Sequence, residues 1–167
     1  MKVKLFVSVS VNGKVLLAEN PNHQVPQEIL GEFMQMASKA GNLILGRKTF
    51  DMMAGYPAAL EALSEIDMVI LSENKPDSEG YKVVSSPEKA IEYFKLKGCS
   101  EIVVGGGTQI YNAFLKADFV SELYLNVIPI LSGSGGILGL DEDLLIRLKL
   151  EHQKSVGNIV QLHYTKI

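Results

Sequence analysis

Two stretches of this chain carry residues whose types and spacing suit them to hold a phosphate. In the first, Glu101 to Tyr111 (EIVVGGGTQIY), β-branched residues lead through Gly105, Gly106 and Gly107 into a segment opening at Thr108. There the apolar positions Ile110, Tyr111, Phe114 and Leu115 recur at helical spacing. Three successive residues without a Cβ let an anion come down onto the backbone, and a helix starting there turns unpaired N–H groups and the positive end of its dipole towards it. The second, NLILGRKTF (42–50), repeats the plan with a short apolar strand, Gly46, and then Arg47, Lys48 and Thr49 at a helix start. Cations beside the positive end of a helix are unfavourable, and an anion among them removes that penalty. Arg47 offers a planar fork of donors, Lys48 a point charge and Thr49 a hydroxyl. Neither of the common phosphate loops fits. GGGTQI has isoleucine where the dinucleotide fingerprint needs its third glycine, and LILGRKTF lacks the upstream glycine of a P-loop.

The elements that must position these residues can be traced from periodicity. A valine-rich alternating run at 3–11 predicts a first strand, turned at Asn12-Gly13, with an apolar run from Lys14 to Leu17 and a loop at 18–25. A helix is expected from about Pro26 to Lys39, stopped by Gly41. Leu43 to Leu45 and Met68 to Leu71 are buried strands, the latter ending at Ser72, and 58–64 is a short helix. After a loop at 73–81 and a short strand at Val83-Val84, Ser86-Pro87-Glu88 starts a helix that runs to about Lys97. Beyond the glycine triplet come a strand at 122–129, a flexible loop at Ser132 to Gly136, and two strands at 148–155 and 159–167 joined at Val156-Gly157-Asn158.

Strands separated by helices imply parallel βαβ units, and the terminal hairpin adds antiparallel pairing, so the expected class is α/β with a mixed, mostly parallel sheet. Ligands of such sheets bind beyond the carboxyl ends of the strands. That rule puts Gly46 to Thr49, Leu71 to Ser72, and Gly105 to Thr108 at one end. The chain has 167 residues, 47% of them apolar and 21% charged, which is ordinary for one globular domain. A net charge of −3 without a basic block argues against nucleic acid. The alternating start lacks the core of a signal peptide and no run is long enough to span a bilayer, so a cytoplasmic protein without membrane contact is expected. Cys99 stands alone and His23, His152 and His163 are far apart in sequence, so no metal site is expected.

GRKTF, ILS and VVGGGTQIY, in this order and followed by ELYLNVIP, resemble the dihydrofolate reductase superfamily over nearly the whole chain. The resemblance implies a three-layer α/β/α fold and NADPH as cofactor. Its phosphates would lie on Gly46, Arg47, Lys48 and Thr49 and on Gly105, Gly106, Gly107, Thr108 and Gln109, with Leu71 and Ser72 by the adenosine half. It also implies a cis peptide between Gly105 and Gly106, and places Val7, Asn12, Leu30 and Asn126 towards the substrate. VSVSVNGKV and NVIPILSGSGG are similar to the branch that holds the reductase domain of riboflavin biosynthesis, which reduces a phosphoribosylaminouracil. The chain departs from both patterns. Leu30 stands where folate reductases carry a carboxylate, and Val104 and Asn12 stand where riboflavin-pathway reductases carry acids. Glu28 and Glu32 are the nearest carboxylates, candidate proton donors against the alternative of a solvated helix face. The expected function is NADPH-dependent reduction of a flat heterocycle or its ribosylamine relative; a dihydrofolate reductase proper and a nucleotide-binding module without turnover are the alternatives. A homodimer is expected, since strand 122–131 and the hairpin offer more apolar β surface than one domain covers and riboflavin-type relatives are often dimers.

Overall fold

The β-branched runs assemble into a single sheet in the computed structural model, which describes residues 1–16, 23–73 and 80–167. Chain order is β1 (Lys2–Ser10), β2 (Lys14–Val15), α1 (Gln27–Ala40), β3 (Asn42–Gly46), α2 (Arg47–Ala54), α3 (Pro57–Ala62) and β4 (Asp67–Leu71). Then follow β5 (Lys82–Val84), α4 (Pro87–Leu96), β6 (Glu101–Val104), α5 (Thr108–Lys116), β7 (Glu122–Ile128), β8 (Gly136–Ile137), β9 (Leu148–Val156) and β10 (Ile159–Lys166). The expected loops at 18–25 and 73–81 lie partly outside the described residues, as does Leu17.

Strand order is β5-β4-β3-β6-β1-β7-β10-β9, with β2 and β8 joined to the flank of β1. Pairing is parallel from β5 to β7 and antiparallel where β10 meets β7 and β9. Alternate residues of each strand feed opposite faces, as the two-residue period demands. Ile44 packs with helices α4 and α5 through Phe94, Ile110 and Phe114, whereas Leu43 and Leu45 pack with α1 and α2 through Ala37 and Phe50. The result is the expected α/β/α arrangement with a mixed sheet. Among the described residues, no helix is long and apolar enough to cross a membrane.

Two local expectations change. The stretch expected as a wholly flexible loop ends in β8, because Gly136 and Ile137 pair with Val15 and Lys14. The cis peptide lies between Gly106 and Gly107, not between Gly105 and Gly106. The parallel ladder carries on through the first two glycines, with Gly105 N–H donating to Ile44 C=O (2.9 Å) and Gly46 N–H to Gly106 C=O (2.6 Å), so the chain departs from the sheet one residue later.

Candidate functional site

Sheet order brings the sequence-predicted stretches together, because β4, β3 and β6 are neighbours and end side by side. Gly46 is in register with Leu71, and Ile44 with Val104. Helix α2 leaves directly from Gly46 and α5 from Gly107, each beginning without a side-chain cap. A Cβ on Gly46 would stand 2.7 Å from Ile110 Cγ1, and one on Gly105 would stand 2.6 Å from the Phe33 ring. Both distances are shorter than real Cβ contacts, so these glycines are demanded by packing, whatever else they serve. Thr108 Oγ1 is buried with no hydrogen-bond partner among the described residues.

Around this backbone, Arg47 holds its Nη1 3.6 Å from Asp51 Oδ1 and its guanidinium over the Phe50 ring, while Lys48 and Gln109 are exposed and Thr49 is half-buried. Ser72 donates its N–H to Val84 C=O (2.9 Å) and lines a groove with Glu73, Lys82, Ser85 and Lys89. His23 precedes α1, whose start lies at this same end because its other end leads through Gly41 into β3. Burial holds the His23 imidazole below its ordinary pKa, and its Nε2 is buried without a partner among the described residues.

The residues expected near the substrate divide into two groups. Val7 and Asn126 meet: Asn126, 1% exposed, donates to Val7 C=O at 3.3 Å. Asn12 instead ties a loop, accepting from Ser10 Oγ (2.7 Å) and Ser132 N–H (3.1 Å) and donating to Ser132 C=O (2.9 Å). Leu30 is 47% exposed on α1. Of the two carboxylate candidates, Glu28 is exposed, while Glu32 accepts from Lys154 Nζ and Gln161 Nε2, both at 2.6 Å.

Sequence reasoning passed over Gln161 and read Tyr111 only as an apolar helix position. Gln161 also donates to Asn126 Oδ1 (2.7 Å), linking α1, β10, β7 and β1 through side chains. Its signal was a polar residue two positions after the buried Ile159, hence on an inward face. Tyr111, fully buried beneath the glycines, donates its hydroxyl to Phe6 C=O (2.7 Å), and burial raises its pKa.

A sequence model of the family described as dihydrofolate reductase matches residues 7–135, so the chain belongs to the dihydrofolate reductase family. Dihydrofolate reductase type 6 of Proteus mirabilis is 31% identical over 130 residues, covering 77% of this chain and 75% of that protein. A putative riboflavin biosynthesis protein from Shewanella sp. PV-4 matches the fold with a TM-score of 0.78 at 22% identity, covering 100% of this chain and 99% of the other. Dihydrofolate reductase from Enterococcus faecalis, solved with NADP(H), has a TM-score of 0.72 at 20% identity, covering 99% and 96%. The family is one of reductases.

Proposed function

We propose that this chain is an NADPH-dependent reductase acting on a flat heterocycle, with a phosphoribosylaminouracil of the riboflavin pathway as the leading substrate. The observation that carries the reading is the convergence of Gly46, Leu71 and the Gly105–Thr108 turn on neighbouring strand ends, beside two helix starts without side-chain caps. The residues fit a dinucleotide. Helices α2 and α5 both start at this end without a side-chain cap, where an anion is favoured, and the buried Thr108 hydroxyl has no hydrogen-bond partner among the described residues. Arg47 and Lys48 supply cationic donors for phosphate, and Ser72 with Lys82 and Lys89 lines the adjoining groove. NADPH, when bound, supplies the hydride. The protein's part is to orient the two reactants and exclude water.

A binding module without turnover is the second reading, favoured by Leu30 at the acid position and by the full engagement of Glu32 with Lys154 and Gln161. NADPH oxidation measured against dihydrofolate and against the phosphoribosylaminouracil separates the two. Turnover of the latter supports the leading reading, and tight NADPH binding with neither substrate consumed supports the module. Cofactor choice is tested by titration. Arg47→Ala is expected to weaken NADPH binding by about 2 kcal/mol, the scale of a hydrogen bond to a charged group, while leaving NADH nearly unchanged. Equal loss for both would move Arg47 from the ribose phosphate to the pyrophosphate. Leu150 and Val160 lie exposed on the hairpin, and we assign them to a homodimer contact; a monomeric mass by sedimentation at micromolar concentration would remove it.

A further inference from the structure

The glycine-rich stretch that follows β7 is fastened down at both ends by asparagine side chains. At its entry Asn12 makes a two-way pair with Ser132, donating to its C=O (2.9 Å) and accepting from its N–H (3.1 Å), while Val11 N–H donates to Ile130 C=O (2.9 Å). Past its exit Asn112 of α5 pairs in the same manner, donating to Ile137 C=O (2.9 Å) and accepting from Gly139 N–H (2.7 Å). Between these ties β8 lies on β2, and the glycines there serve close approach. A Cβ on Gly135 would stand 2.6 Å from the Val15 carbonyl oxygen. One on Gly136 would stand 2.3 Å from Thr108 Cγ2 and 2.6 Å from Thr108 Oγ1. Residues 132–137 are therefore a strap laid across Thr108, the first residue of α5.

The fastened strap carries a cost on its inner side and little holding it on its outer side. Beneath it the Thr108 hydroxyl is buried with no hydrogen-bond partner among the described residues, and a buried hydroxyl in that condition opposes the arrangement that encloses it. Outside, Gly133, Ser134 and Gly135 are exposed and Ile137 is 48% exposed, so lifting the strap uncovers little apolar surface. The two ends differ. Leu138 packs on the core beside the Asn112 pair and anchors the exit. The entry hangs on the exposed Asn12, whose Oδ1 also accepts from Ser10 Oγ (2.7 Å). A carboxylate in its place would keep the acceptor but turn its second oxygen against Ser132 C=O, so the tie needs an amide.

We propose that the strap lifts when the cofactor binds, uncovering the Thr108 hydroxyl to a cofactor phosphate, and that Asn12 is the positioning residue that sets how readily it lifts. The proposal rests on the NADPH reading and adds to it the element that controls entry to the α5 start. The test follows amide exchange across 132–137 in the full chain, with and without NADPH, together with NADPH titrations of the parent, Thr108→Val and Asn12→Ala. NADPH should speed exchange of the strap by at least about threefold. Thr108→Val removes the stranded hydroxyl and keeps the shape, so without nucleotide it should slow that exchange, while weakening NADPH binding at least about fivefold. Asn12→Ala should speed exchange and, by enlarging the open fraction, tighten NADPH binding at least about threefold. A merely structural asparagine would weaken binding instead. Thr108→Val binding NADPH as the parent does, or Asn12→Ala binding it less tightly, overturns the proposal and leaves the cofactor reading standing. So does strap exchange that NADPH leaves unchanged in a parent that binds it. A parent that binds no NADPH at millimolar concentration overturns the cofactor reading and the strap's role together.

Discussion

The two ends of the parallel strands meet the demands of buried backbone in opposite ways. At the amino ends, side chains answer one another. Asn42, fully buried, donates to Ala40 and Glu101 carbonyls at 3.0 and 2.8 Å and accepts from Val103 N–H at 3.2 Å. Lys4 meets Glu101, Lys97 meets Asp67, and Glu122 gathers three donors. At the carboxyl ends, side chains are removed. Gly46, Gly105 and Gly106 let the side chains of Ile110, Phe33 and Tyr111 close directly onto the backbone, beside two helix starts without side-chain caps. A buried polar group needs a partner, and the protein supplies it at one end; at the other, helix-start N–H groups without side-chain caps are what a ligand site requires. Side-chain pairing thus marks the amino ends of these strands, and glycines with uncapped helix starts mark their carboxyl ends.

The contrast can be broken or sharpened by substitution. The largest effect is expected from Gly105→Val, whose added carbons meet the Phe33 ring at 2.6 Å and Leu45 at 3.0 Å. Overpacking there should cost about 3 kcal/mol, read as a lowered denaturation midpoint at unchanged slope. Loss of NADPH binding with stability retained would instead make this glycine a ligand requirement alone. Asn42→Leu comes next at about 2 kcal/mol, because it strands the Val103 N–H and removes a donor from two carbonyls. A variant as stable as the parent would show that the amino end does not depend on its amides.

Acid titration probes the same pole. Burial pushes the Glu122 carboxyl up, but hydrogen bonds from Lys2, Tyr124 and His163 outweigh it and hold the pKa below the ordinary 4.5. A carboxylate lowered in the folded state stabilises above its unfolded pKa, and that contribution disappears as pH falls through the folded value. Stability should therefore drop below about pH 4.5, and Glu122→Gln should flatten that limb by about 1 kcal/mol. An unchanged acid limb would remove Glu122 from the account. The smallest effect is expected from Lys97→Ala. Its pair with Asp67 is short, at 2.6 Å, but its side chain is half exposed, so a loss within about 0.5 kcal/mol by thermal melting is predicted, smaller still at high salt.

Much of this architecture was legible residue by residue. Ser86 accepts from Lys89 N–H ahead of Pro87, Gly41 ends α1 with φ of 68°, and the last strands turn at Gly157 and Asn158, because caps and turns are decided within a few residues of chain. The glycine turns were legible for the same reason, since a missing Cβ is a local fact. What the tertiary structure alone decided was adjacency. Nothing in NLILG or EIVVG sets β3 beside β6; that follows from burying both faces of each strand under two helical layers, and only then does Gly46 N–H reach Gly106 C=O. Glu32, on an amphipathic helix, read as a candidate proton donor or a solvated side chain, yet Gln161, 129 positions away, comes within 2.6 Å of it. Pairings over such separations depend on strand order and register, which local periodicity does not encode.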